Sequence, residues 1–241
     1  MNDNKILTFF ENKLFLVTLP RIMVGVFLFL QILGMISYPG GTIWSEKTTE
    51  YVFTKNYFSD LGRYQAHNGE PNYLSMIFFS LSLCLVSLTF IVHYVSVLRF
   101  FQNDYKRYNY IISFIGTIFS FLGAVCLIGT ALTPSDLVLD LHIFYANNIF
   151  HSFLVTSLLY TIVIYRSKLI KNKYAAGYAI FFLSILSYVI ILHFGPGPRE
   201  SQAALIFQVV AQKMIVVIFI LSVVYQTFGL DKSFKGEKNY K

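Results

Sequence analysis

Apolar residues in this chain come in long unbroken runs, and the polar ones gather in the short stretches between them. A helix needs roughly 20 such residues to cross about 30 Å of hydrocarbon. Six runs meet that length: 14–38, 73–98, 108–132, 141–165, 174–194 and 203–228. The pattern predicts an all-α integral membrane protein, a six-transmembrane-helix bundle in a single domain spanning 1–241. The first run is too long for the apolar part of a secretion signal, carries Arg21 and lacks a small-residue cleavage site, so it reads as a helix. Composition agrees: 56% of residues are hydrophobic and only 13% charged.

Basic residues set the expected orientation. Lys5, Lys13, Arg99, Lys106, Arg107, Arg166, Lys168, Lys171, Lys173, Lys232, Lys235, Lys238 and Lys241 all flank one side of the spans, while Lys47, Lys55, Arg63 and Arg199 flank the other. The positive-inside rule then places both termini in the cytoplasm. The net charge of +7 describes a rim that meets anionic head groups, and calls for no nucleic acid. The longest connection, 39–72, is external and opens with "SYPGGTIWSEK", a Pro-Gly-Gly turn followed by a Trp suited to the interface. Cys84 and Cys126 fall inside spans and read as packing residues.

Polar groups at membrane depth are expensive and mark functional sites by default. Lys213 and His151 each lie ten residues into their spans, about 15 Å from the outer end. Arg21 lies seven residues in from the cytoplasmic end, and its long side chain extends toward the same level. No Asp or Glu sits in the middle of a span, so the amides Asn147, Asn148, Gln208 and Gln212, or a bound anion, must compensate. On a helix Asp140, Asn147 and His151 share one stripe, whereas His142 falls opposite His151. Ser135 and Asp136 read as a helix cap. Level with that rim, "NYFSDLGR" supplies Ser59, Asp60 and Arg63 as a lid over the stripe, with Gly62 permitting a tight backbone and Asp60 facing Arg199 or Lys213.

The "SDLG" before the second span, the "GTALTPSD" leading to "DLH", and the "AQKMIVV" of the sixth resemble, in their order and placement, a six-helix bacterial membrane family catalogued as domain of unknown function 998. The resemblance covers residues 21–228. Lys213 stands where that pattern more often has Arg, a point charge in place of a planar fork. The layout is similar, more distantly, to the damage-regulated autophagy modulators. The resemblance implies a six-helix membrane fold and supplies no activity.

The residues themselves point first to a lipid-handling protein: an outward-facing polar pocket whose cationic floor, Lys213, His151 and Arg21, binds an anionic lipid or lipid-like molecule. An intramembrane metal-dependent hydrolase or transferase using Ser59, Asp60, Asp140, His142, His151 and His193 is the second reading. It lacks a His pair at i, i+4 and a nucleophile elbow. A haem bundle needs facing His pairs, and His93, His151 and His193 are expected at three different levels. An ion or proton carrier lacks an embedded acid. No metal ligand set emerges and the cofactor is left unknown. Expected partners are membrane lipids and a membrane-protein partner or second copy. The simplest location is a bacterial cytoplasmic membrane.

Overall fold

A computed structural model describes residues 12–234 except 103 and 105. Lys5, Lys235, Lys238 and Lys241, part of the basis for the expected orientation, lie outside the described residues. Among the described residues six helices are long and apolar enough to cross a membrane. They are α1 (Leu14–Ser37), α2 (Tyr73–Gln102), α3 (Arg107–Leu132), α4 (Leu139–Arg166), α5 (Lys173–Phe194) and α6 (Gln202–Phe234). The first five residues of α1 are wound as a π-helix, and Pro20, which has no N–H to donate, follows where the α-helical winding begins. Predicted spans and observed helices agree within a few residues except at the ends of α2 and α6, which run on through polar residues past the apolar run.

Each helix packs on its neighbours in sequence, so the six form a ring, and α6 closes onto α1 along the least packed seam. Lys13 at the start of α1 and Asp231 near the end of α6 pair at 2.6 Å, which puts the start of α1 and the end of α6 at one end of the bundle. The α3–α4 pair is the tightest. Gly116, Gly123 and Gly129 of α3 lie beneath the rings of Tyr160, Phe153 and Tyr145 of α4, where a Cβ would meet ring carbons at 3.1, 2.8 and 2.4 Å. Small residues drive close helix approach where lipid offers no hydrophobic contrast. Across the middle of the bundle the rings of Phe90, Phe153, Phe181 and Phe219, from four different helices, contact one another. Toward the terminal end Tyr94, Tyr160 and Tyr178 continue the core, with Tyr160 bonded to Thr117 and to the Ser113 carbonyl.

The other end is closed by the α1–α2 connection, which folds inward and presents a 3-10 turn at Phe58–Gly62 to the interior. Asn56 and Leu61 are fully buried. The connection begins with Gly40 and Gly41, both at positive φ, where a Cβ on Gly40 would strike the Thr48 carbonyl at 2.1 Å. This cap is what positions the site.

Candidate functional site: a capped chamber inside the helix ring

The cap hangs on one short segment. Asn56 is held by three hydrogen bonds from its side chain: Nδ2 donates to the Gly41 carbonyl at 2.9 Å and to Asp60 Oδ2 at 3.1 Å, and Oδ1 accepts from Val52 N–H at 2.9 Å. Asp60 Oδ2 also accepts the Tyr57 N–H at 2.9 Å, a side-chain cap on the 3-10 turn, while Oδ1 lies 3.2 Å from His67 Nε2. The side chain facing Asp60 is therefore His67, in place of the expected Arg199 or Lys213. Gly62 is tight for a different reason from the one the sequence suggests. Its φ is ordinary, and a Cβ there would sit 2.4 Å from the Phe79 ring.

Two neighbours on α6 fasten the cap from below. Gln212 Oε1 accepts the Phe58 N–H at 2.9 Å, and the Lys213 ammonium donates to the Asn56 carbonyl at 2.5 Å. The rings of Phe53, Phe58 and Tyr51 surround that ammonium at 4.8, 5.1 and 5.4 Å. Lys213 is only 4% exposed. A desolvated ammonium among aromatic faces is stabilised by their quadrupoles, so Lys213 has its compensation from the cap itself.

The three embedded cations thus do not share a pocket. Arg21 Nε donates to Thr227 Oγ1 at 2.8 Å, with the guanidinium 4.6 Å above the Phe228 ring, across the α1–α6 seam. Thr227 lies fourteen residues beyond Lys213, about 21 Å along α6. His151 is half-buried on α4 and its ring lies 5.2 Å from that of His193 on α5. This overturns the expectation that the two sit at different levels: α5 ends well below the start of α4, which the lengths of the apolar runs do not reveal. Asp140 is exposed in the first turn of α4, and Asn147, on the same stripe, is half-buried. His142 is buried, with Nδ1 2.7 Å from the Thr133 carbonyl, so it closes the end of α3. Asp136 accepts the N–H groups of Tyr64 and Gln65 at 2.9 and 2.8 Å, which staples the α3–α4 turn to the cap. Arg63 lies on the outer face of the cap with Nε on the Gln65 carbonyl.

Beneath the 3-10 turn lies a cavity of about 150 Å³. Phe58 and Ser59 roof it, the Phe90, Phe153, Phe181 and Phe219 rings floor it, and Gln31, Gln212, Thr89 and Thr130 are its other polar residues. The walls are apolar, with Met23, Val24 and Phe27 of α1 and Val216 and Ile220 of α6 on the side of the least packed seam. Gln31 Nε2 is engaged by Ser82 Oγ at 2.7 Å, and its Oε1 has no partner among the described residues. Of the expected ligand residues only Ser59 and Gln212 line this chamber. Among the described residues no group of three or more His, Cys, Asp and Glu is placed to hold a metal ion.

Sequence reasoning missed Asn56 and His67, the two residues around which the cap is built. The spacing of Asn56 and Asp60, four apart in a loop with its own Gly and Pro turns, was the available signal. Comparisons with protein-family models, curated proteins and solved structures return no match for this chain.

Proposed function

We propose that this protein handles a lipid-like molecule by sheltering its apolar part in the chamber under the cap, with entry from the membrane between α1 and α6. The observation that carries the reading is the chamber itself, apolar on nearly every wall and roofed by a polar cap tied to α6 through Gln212 and Lys213. An apolar cavity of this size stays dry and admits hydrocarbon. A ring or a short alkyl segment is the scale of group it suits.

In this reading the capped end faces outward and both termini face the cytoplasm, as the basic flanks direct. The host is a bacterial cytoplasmic membrane, and the resemblance to the domain of unknown function 998 family belongs to the same proposal. Lys213 acts as the latch of the cap and leaves recognition of an anionic head to residues at the surface. Of the hydrolase residues, His151 and His193 come together, but no third His, Cys, Asp or Glu joins them in a group placed to hold a metal among the described residues.

The test is photo-crosslinking with a phospholipid that carries a diazirine on its acyl chain, followed by peptide mapping. Labels on chamber-lining stretches of α1, α4 or α6 around Phe27, Ile149 and Val216 are the expected result. Labels confined to the lipid-facing surface, at residues such as Phe29, Ile118 and Ile180, would overturn the proposal.

A further inference from the structure

On the outer face of the cap, away from the chamber, lies an open cleft of about 330 Å³ lined by Ile43, Trp44, Arg63, His67 and Arg199. Two separate segments build it. The Trp44 indole N–H donates to the Pro198 carbonyl at 3.0 Å, which pins the cap against the α5–α6 link and sets Arg63 and Arg199 around one opening.

Three acids of this rim are engaged elsewhere. Asp136 is taken by the Tyr64 and Gln65 N–H groups, Glu200 by the Gly197 N–H at 2.7 Å, and Asp60 by Tyr57, Asn56 and the far side of His67. Arg63 spends only its Nε, on the Gln65 carbonyl, and neither its two terminal nitrogens nor the Arg199 guanidinium has an acidic partner among the described residues. Two arginines with unspent N–H donors therefore line one shared space, with His67 beside them.

We propose that this cleft binds a phosphate-class oxyanion. Guanidinium forks match the oxygens of a phosphate bidentately, and two of them supply two positive charges, the complement of a phosphomonoester dianion. The same chemistry serves a free phosphate or the head group of a phosphatidate-like lipid. The residues are different from those of the chamber, so either site can fail without the other.

Trp44 is the sole tryptophan of the chain, so its fluorescence reads the cleft directly. The full-length protein in maltoside micelles is titrated with inorganic phosphate at constant ionic strength, and in parallel with dioleoyl phosphatidate in mixed micelles. A saturable Trp44 response to either probe is expected, weakened at least tenfold in the pair Arg63→Gln with Arg199→Gln. The pair Arg63→Lys with Arg199→Lys should lie between, since charge remains and the forks are lost. A response to inorganic phosphate assigns the cleft to the free anion, and a response to phosphatidate alone assigns it to a head group. No saturable response of the unaltered protein to either probe, or equal titrations of unaltered protein and a Lys-pair variant that keeps its unfolding temperature, would overturn the proposal.

Discussion

Single residues decide whether the cap stays shut. Asn56 is fully buried and its side chain joins three parts of the connection. Asn56→Ala leaves the Gly41 carbonyl, the Val52 N–H and one Asp60 oxygen short of a partner, and should cost about 3 kcal/mol, seen as a lower unfolding temperature in micelles. Lys213→Met keeps the length of the side chain and removes the charge. The Asn56 carbonyl still has the Tyr51 hydroxyl at 2.9 Å, so the bundle should persist while the cap loosens. Faster tryptic cleavage at Lys47 and Lys55, with helix content unchanged, is the expected readout. The tyrosines of the cap give a pH dependence. Burial first, and then the nearby Asp60 carboxylate, push the hydroxyls of Tyr38, Tyr51 and Tyr57 well above their ordinary value of about 10. A raised value in the folded state means that stability is complete below pH about 10 and falls as the pH climbs beyond it. Cap opening in alkali, followed by cleavage at the same lysines, should begin above that pH. Lys213 itself was legible in the sequence as a residue needing compensation. Its partner was not, because the carbonyl of Asn56 carries no sequence signature and reaches Lys213 only through the fold of a 34-residue connection, 39–72.

At the level of elements, packing hinges on where small residues meet large rings. The 3-10 turn fits between α1 and α2 because Gly62 lies against Phe79, where a Cβ would approach to 2.4 Å, and Gly62→Ala should cost about 1–3 kcal/mol. Gly34 of α1 is a control in the same layer. Its Cβ would meet Leu61 at 3.4 Å, an ordinary contact, so Gly34→Ala should leave the unfolding temperature close to that of the unaltered protein. The helices themselves were plain from the sequence because lipid demands about 20 apolar residues of every span and little else. Their relative heights were not. A run of apolar residues fixes length, whereas the recessed end of α5, which brings His193 to His151, depends on how the "GPGPRES" link is drawn down: Gln208 donates to the Pro196 carbonyl at 3.0 Å, and Trp44 to Pro198.

For the molecule as a whole, the expected polar pocket gives way to a division between two places. Charge gathers at the outer cleft and inside the cap, while the space enclosed by the helix ring is hydrocarbon-like. Embedded cations suggested otherwise because sequence gives their depth and leaves out their direction. Lys213 turns toward the cap and Arg21 toward α6, so neither reaches the chamber. The central claim is that the chamber holds the apolar part of a lipid-like molecule, and native mass spectrometry of the protein extracted from its own membrane tests it most directly. The unaltered protein is compared with Ala146→Phe together with Val216→Phe, two substitutions that project rings into the chamber. A lipid-sized mass retained by the unaltered protein and at least tenfold depleted in the filled variant, with unfolding temperature maintained, is the predicted result. Equal retention by both, or no retained mass on either, would contradict it.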